Sequence, residues 1–235
     1  MHISDGVLSP AVIGITSLLG TGTLAFSLRG IKSEEIPKIS LMTAVFFVGS
    51  TIHIPIGPTS VHLLLTGFIG LVVGRHAAVS VLIALLLQLF LFHFGGISSL
   101  GANVLVESLP AMLLGMFLRP RLFHAGNKAF FYGFAAGFFS TAGSVLLLGI
   151  VLIQSNRRFG MGPFSTVTAV TAGHVPIMFI EGLMTGFAVQ FIVNIRPHFF
   201  HSESTNTERF ENEKEPNINR NPFSHGHIDR PGDYE

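Results

Sequence analysis

The sequence predicts an all-α integral membrane protein, a bundle of about seven transmembrane helices with the N-terminus outside and the C-terminus cytoplasmic. Three observations carry that expectation. Of the 235 residues 49% are hydrophobic and only 11% charged, against about 25% charged in an ordinary soluble domain. The mean hydropathy is +0.59. Charge is also segregated, because residues 202–235 hold eight of the thirteen acids and four of the fourteen bases. We therefore expect an embedded domain over residues 1–195 and a disordered cytoplasmic tail over 196–235, rich in Asn, Glu, Ser and Pro.

The elements follow in order. Residues 6–28 carry no charge, long enough to cross about 30 Å of hydrocarbon. Ser9-Pro10 reads as an N-cap followed by a proline at the first helical position, which leaves residues 1–8 non-helical and able to fold back as a short plug. The uncharged run 39–74 is too long for one helix. His53-Ile54-Pro55-Ile56-Gly57-Pro58 breaks it into segments near 39–54 and 59–74, and short, Pro/Gly-interrupted segments often border a binding site. Further spans read as 77–94, 98–118, 128–153 and 165–195. The paired glycines Gly70 and Gly74, Gly133 and Gly137, and Gly182 and Gly186 allow close helix approach and read as packing.

Lysine and arginine set the orientation. The connections after spans one, three and five hold Arg29, Lys32, Lys38, Arg75, Arg119, Arg121 and Lys128, while only Arg157 and Arg158 dissent. The positive-inside rule then puts the tail in the cytoplasm. His2, His53, His62, His93 and His174 fall in the outer half; His76, His124, His198, His201, His225 and His227 fall on the cytoplasmic side. Titratable groups inside a bundle point to a functional site, although His53, His93 and His174 read equally well as histidines drawn to an interface. Glu107 and Glu181, the acids of spans five and seven, are each a partner for the site or for a basic residue. The His225-Gly226-His227 pair is read as having no role.

Several classes are excluded. There is no cysteine, hence no disulfide and no thiolate metal site. No G-x-x-x-x-G-K-[ST] pattern occurs, so ATP-driven work needs another chain. The net charge of +1 gives no sign of nucleic acid. Met1–Asp5 lacks a basic segment, so no cleaved leader is expected.

The chemistry begins at Met1-His2. The α-amine, the His2 amide nitrogen and the His2 imidazole can close two fused rings on one ion, placing three nitrogens in a plane with a fourth corner open. Nitrogen-rich tetragonal sites suit Cu(II) or Ni(II), with affinities rising through cobalt and nickel to copper. His62 is the best fourth nitrogen. It is expected about one turn, or roughly 5 Å, into the third span. A ligating imidazole needs a partner on its other nitrogen, which Ser60, His53 or the stretch from Gly95 to Asn103 would supply.

Met1-His2-Ile3-Ser4-Asp5-Gly6-Val7-Leu8-Ser9-Pro10 resembles the opening of the CbiM/NikM family, the substrate-capture subunits of energy-coupling-factor (ECF) transporters for cobalt or nickel. Pro58-Thr59-Ser60-Val61-His62-Leu63 is similar to its histidine-bearing motif. So are Leu87-Gln88, the run from Gly95 to Asn103, and Gly173-His174-Val175-Pro176 with Glu181-Gly182. The resemblance covers about residues 1–195. It implies a multi-pass cell-membrane protein of seven helices that binds Co(II) or Ni(II) as substrate through Met1, His2 and His62, with no cofactor and no enzymatic activity of its own. His53, Ser60, His93, Asn103 and His174 are the candidate outer partners of those ligands. The implied protein partners are a transmembrane coupling subunit, ATPase subunits and a separate small membrane subunit, since residues 196–235 contain no hydrophobic span. Two rivals stand beside this reading. One is a secondary cation transporter or channel using the outer histidines with Glu107 and Glu181. The other is a vitamin-binding capture subunit, for which the 23 phenylalanines but only two tyrosines and no tryptophan offer few polar aromatic contacts.

Overall fold

The computed structural model of the chain describes residues 2–51, 53–56, 59–122, 125–162 and 165–200. These include seven α-helices: α1 (Pro10–Leu28), α2 (Ile36–Thr51), α3 (Thr66–Val73), α4 (Ala77–Phe92), α5 (Leu100–Leu122), α6 (Ala129–Ser155) and α7 (Thr166–Ile195). Between α2 and α3 lies an antiparallel hairpin of two four-residue strands, β1 (His53–Ile56) and β2 (Thr59–His62), with His53 opposite His62. This hairpin departs from the all-α expectation. Pro55 helps explain it: it lacks the N–H a helix needs and pushes the residue before it toward extended backbone.

Five helical stretches are long and apolar enough to cross a bilayer: 10–28, 66–92, 100–122, 129–155 and 166–195. The protein is thus a multi-pass membrane bundle. The stretch 66–92 is a reversal rather than a rod. Gly74 at its middle has φ +57° and ψ −122°, a conformation that costs little only without a Cβ. His62, ahead of α3, and Phe94, after α4, consequently lie side by side with ring centres 6.0 Å apart. The lengths close on that picture. The 16 residues of α4 run about 24 Å, while the eight of α3 plus four extended residues run about 12 and 13 Å. The expected span 59–74 is therefore half extended and half helical. His62 ends a strand four residues before α3; it is not one turn inside a helix.

Such a half-helix exposes its first N–H groups inside the bundle, and these need a partner. Glu181 on α7 supplies it. Its Oε1 accepts from the backbone N–H groups of Leu64 at 2.5 Å and Leu65 at 2.9 Å, a favourable place for a carboxylate. Leu65, at the N-cap, is itself left-handed with φ +53°. One of the two buried acids is thus a structural cap; Glu107 on α5 is equally buried.

Most of the paired glycines are packing residues. A Cβ on Gly133 or Gly137 of α6 would press on the α7 backbone at Gly186 and Glu181, and one on Gly182 or Gly186 on the rings of Phe134 and Phe130. Gly70 of α3 sits against Ala111 of α5, and Gly115 of α5 against Gly70, backbone on backbone. Gly74, expected as the packing partner of Gly70, instead makes the turn. The polarity of the bundle is inverted relative to a soluble protein: Leu18 (74% exposed), Phe131 and Leu146 face outward, while Gln88, Ser108 and Ser140 are wholly buried. Hydroxyls bond to carbonyls one turn back, as Thr16 does to Val12 at 2.7 Å and Ser108 to Val104 at 2.6 Å, which satisfies them without water.

Candidate metal site

The site starts with the N-terminal segment. Residues 2–8 are not helical, and α1 begins at Pro10 with Ser9 in the extended N-cap conformation. Ser9 makes no side-chain cap; its N–H donates instead to Ser155 Oγ at 2.7 Å, and that hydroxyl donates to the Val7 carbonyl at 3.2 Å. Two apolar side chains seat the segment, since Ile3 and Leu8 are buried in a cluster with Val12, Ala102 and Leu148. Its main chain is held by the start of α5. The Ile3 N–H donates to Asn103 Oδ1 at 2.9 Å, while Asn103 Nδ2 and Ser99 Oγ donate to the Ile3 carbonyl at 3.0 and 2.5 Å.

Asp5 completes the attachment. Its carboxylate accepts from the backbone N–H groups of Ile97 at 3.1 Å and Ser98 at 2.9 Å, and from the Ser98 hydroxyl at 2.5 Å. A Cβ on Gly96 would overlap that carboxylate, so the loop passes only as glycine. The Ser98 hydroxyl, followed by the backbone donors, holds the Asp5 carboxyl below its usual 3.8. A carboxylate with a depressed pKa supports docking fully above its ordinary value and ceases to as pH falls through the lowered one. Acid release of residues 3–7, followed by amide exchange, should therefore begin only below about pH 4. Asp5→Asn should lack that transition; if it releases identically, Asp5 is not the latch.

The docked segment brings His2 to His62. Their ring centres are 5.3 Å apart and the planes are inclined at 41°. Phe94 stacks on His2 at 6.4 Å and meets His62 edge-on. His62 is 6% exposed, with Nδ1 2.9 Å from the Ser50 carbonyl at the end of α2. A carbonyl accepts, so Nδ1 carries the proton and Nε2 the lone pair. Both ring nitrogens of His2 are buried with no hydrogen-bond partner among the described residues. Burial, reinforced by the nearby His62, holds the His2 imidazole well below 6.5. It is neutral at neutral pH, as a ligand must be. Gln88 of α4 lies beside it, its Nε2 donating to Ser50 Oγ at 2.7 Å.

These side chains line a half-open cavity of about 340 Å³, walled also by His93, His174, Val170 and Leu152. His93 ends α4 in the left-handed conformation with φ +57°. His174 is 2% exposed, with Nδ1 2.7 Å from the Val170 carbonyl one turn back and Nε2 without a partner among the described residues.

The structure thus brings together His2, His62, His93 and His174. Asn103 is placed on the Ile3 backbone, where it secures the segment, rather than on an imidazole. Met1 and the side chains of His53 and Ser60 lie outside the described residues, as do His225 and His227. The partner that orients His62 is the Ser50 carbonyl, which sequence reasoning missed because main-chain acceptors carry no residue signature. Asp5 was also missed as a latch, and Phe94 as a ring packed against both histidines. The spacing of Ser98, Ser99 and Asn103 at the mouth of an apolar helix was the available signal.

Membrane-length helices around a half-open cavity whose lining includes His2, His62, His93 and His174 define a multi-pass membrane protein. Residues 2–199 match the family described as the cobalt uptake substrate-specific transmembrane region, and the chain belongs to that CbiM family. It is 33% identical over 199 residues, covering 84% of this chain and 95% of the other, to a Haemophilus influenzae protein named for metal transport. It is 28% identical over 213 residues to the fused nickel transport protein NikMN of Rhodobacter capsulatus, covering 82% of this chain and 59% of that one. A crystal structure of a truncated transition metal transporter shares the fold, with a TM-score of 0.67 at 22% identity over 83% of this chain and 97% of that one.

Proposed function

We propose that the chain is the ion-capturing membrane subunit of an ECF-type importer, and that it binds Co(II) or Ni(II) with four nitrogens: the Met1 amine, the His2 amide, the His2 imidazole and the His62 imidazole. The pairing of His2 with His62 carries this reading. The open corner is adjacent to the His2 imidazole, so an ion about 2.0–2.1 Å from each ring nitrogen would set the His2 and His62 ring centres about 4.5 Å apart. The observed 5.3 Å is close to that spacing, so modest ring approach suffices. Among the described residues no three His, Asp or Glu side chains group closely enough to hold an ion, which favours a site that draws on main-chain nitrogen. Magnesium and calcium, which want oxygen ligands, would be rejected.

In this reading the membrane domain spans 1–195 in seven crossings, with the His2 end outside and residues 196–235 a cytoplasmic tail. Arg29, Arg75 and Arg119 support it, lying at the connections opposite the cavity. The absence of a phosphate-binding loop assigns ATP hydrolysis to separate ATPase subunits, working through a transmembrane coupling subunit. The fused name NikMN of a relative fits a further small membrane subunit as a partner.

The test compares full-length protein beginning at Met1 with a version carrying two extra residues ahead of it, each titrated with nickel and cobalt. The extension should weaken binding by more than about tenfold, the lower end of what merely disturbing a ligand's surroundings costs. Equal affinity would remove the terminal amine from the site.

A further inference from the structure

The cavity is much larger than a dehydrated ion. At about 340 Å³ it has room for on the order of ten waters at about 30 Å³ each, enough for a divalent ion with its inner hydration shell. One wall is a single face of α7, where Thr166, Val170 and His174 follow one another at four-residue spacing. Down that face, His174 lies eight residues, or about 12 Å, from the start of the helix. It lines the same cavity as His2 and His62.

Three features of His174 separate it from an ordinary buried histidine. Its Nδ1 lies 2.7 Å from the Val170 carbonyl, which leaves the lone pair on Nε2. That Nε2 is buried and has no partner among the described residues, a costly state for a nitrogen beside hydrocarbon. The ring also borders the cavity. A small ring movement brings that nitrogen onto the cavity, where it can replace a water of a hydrated metal ion. It is not grouped with two further ligating side chains, so on its own it would hold such an ion only briefly.

We propose that His174 is a transit ligand: it takes the hydrated divalent ion from the cavity water and replaces one aqua ligand before the ion passes to His2 and His62. One water leaves as one imidazole nitrogen binds, and no proton or electron moves. This rests on the capture reading above. A transit ligand lowers the barrier in both directions, so it sets how fast the ion arrives and leaves without setting how tightly it is finally held. That distinguishes it from a permanent ligand, whose loss weakens equilibrium binding, and from a packing residue, whose loss changes stability alone.

The experiment uses the purified full-length chain with its native terminus. Nickel transfer from a fluorescent chelator is followed by stopped flow, and affinity is measured by competition at equilibrium. His174→Ala should slow association and dissociation together by about tenfold while Kd stays within about twofold, and His174→Gln should do the same with the thermal melt unchanged. Unaltered rates in both variants, or a weakened Kd with association unchanged, would overturn the proposal. His62→Ala in the same series tests the underlying reading separately, because it should abolish tight binding whatever His174 does.

Discussion

Replacing His62 with alanine should abolish specific nickel and cobalt binding while leaving the bundle folded. Groups that only orient a ligand are worth about 10–100-fold in metal affinity, so losing a ligand itself should exceed about 100-fold. The fold should survive because His62 lies at the end of a strand, with its ring on the cavity and bonded to the Ser50 carbonyl. What positions the neighbouring chain is the Glu181 carboxylate on Leu64 and Leu65, which the substitution leaves in place. Competition titration with nickel, beside a thermal melt in detergent, reads both quantities. Binding within a few-fold of the parent would take His62 out of the site; collapse of the melt would mean that its role is structural.

The second large effect is expected at Gly70. Any side chain there would strike the backbone of Ala111, and the reciprocal contact places the Gly70 backbone where a Cβ on Gly115 would be. Backbone cannot step aside as a long side chain can, so α3 and α5 would have to separate. Overpacking a core typically costs 1–3 kcal/mol and occasionally more; with main chain on both sides, Gly70→Val should reach about 3 kcal/mol. The loss should also reach the metal site, since α3 follows the strand that ends in His62. A melt within about 2 °C of the parent would show that the two helices tolerate separation. Gly22, which has open space around it, is the control: Gly22→Ala should leave the melt unchanged.

The helical spans were legible because a bilayer demands long uncharged runs, and the observed helices 10–28, 100–122, 129–155 and 166–195 lie close to those read from charge alone. The interruption at 53–58 was legible, but 59–74 read as one span and not as a strand followed by a half-helix. Hydropathy gives the same value to an extended Val61-His62-Leu63 as to a helical one, so nothing local announced that the helix starts at Thr66. That start depends on Glu181, more than a hundred residues away. The same limit applied at the site. Met1, His2 and His62 stood out because a terminal amine and imidazoles are among the few groups that bind transition-metal ions through nitrogen, and the structure pairs His2 with His62. The features that hold the pair, the Ser50 carbonyl, the donors around Asp5 and the edge of Phe94, are main-chain groups or common residues made significant only by the fold.

The attachment of residues 2–8 has a consequence for the order in which the protein is built. The segment leaves the ribosome well before its hydrogen-bond partners: Ile97, Ser98, Ser99 and Asn103 are made more than ninety residues later, and Ser155 nearly 150 residues later. Contacts so distant in sequence form only after the intervening chain has been ordered. Through most of synthesis His2 must therefore remain undocked, and a nascent chain ending before the start of α5 has no pocket in which to place it. Residues 2–8, made before the rest of the site, are thus among the last to reach their final positions, and the site matures only when the membrane body around it is complete.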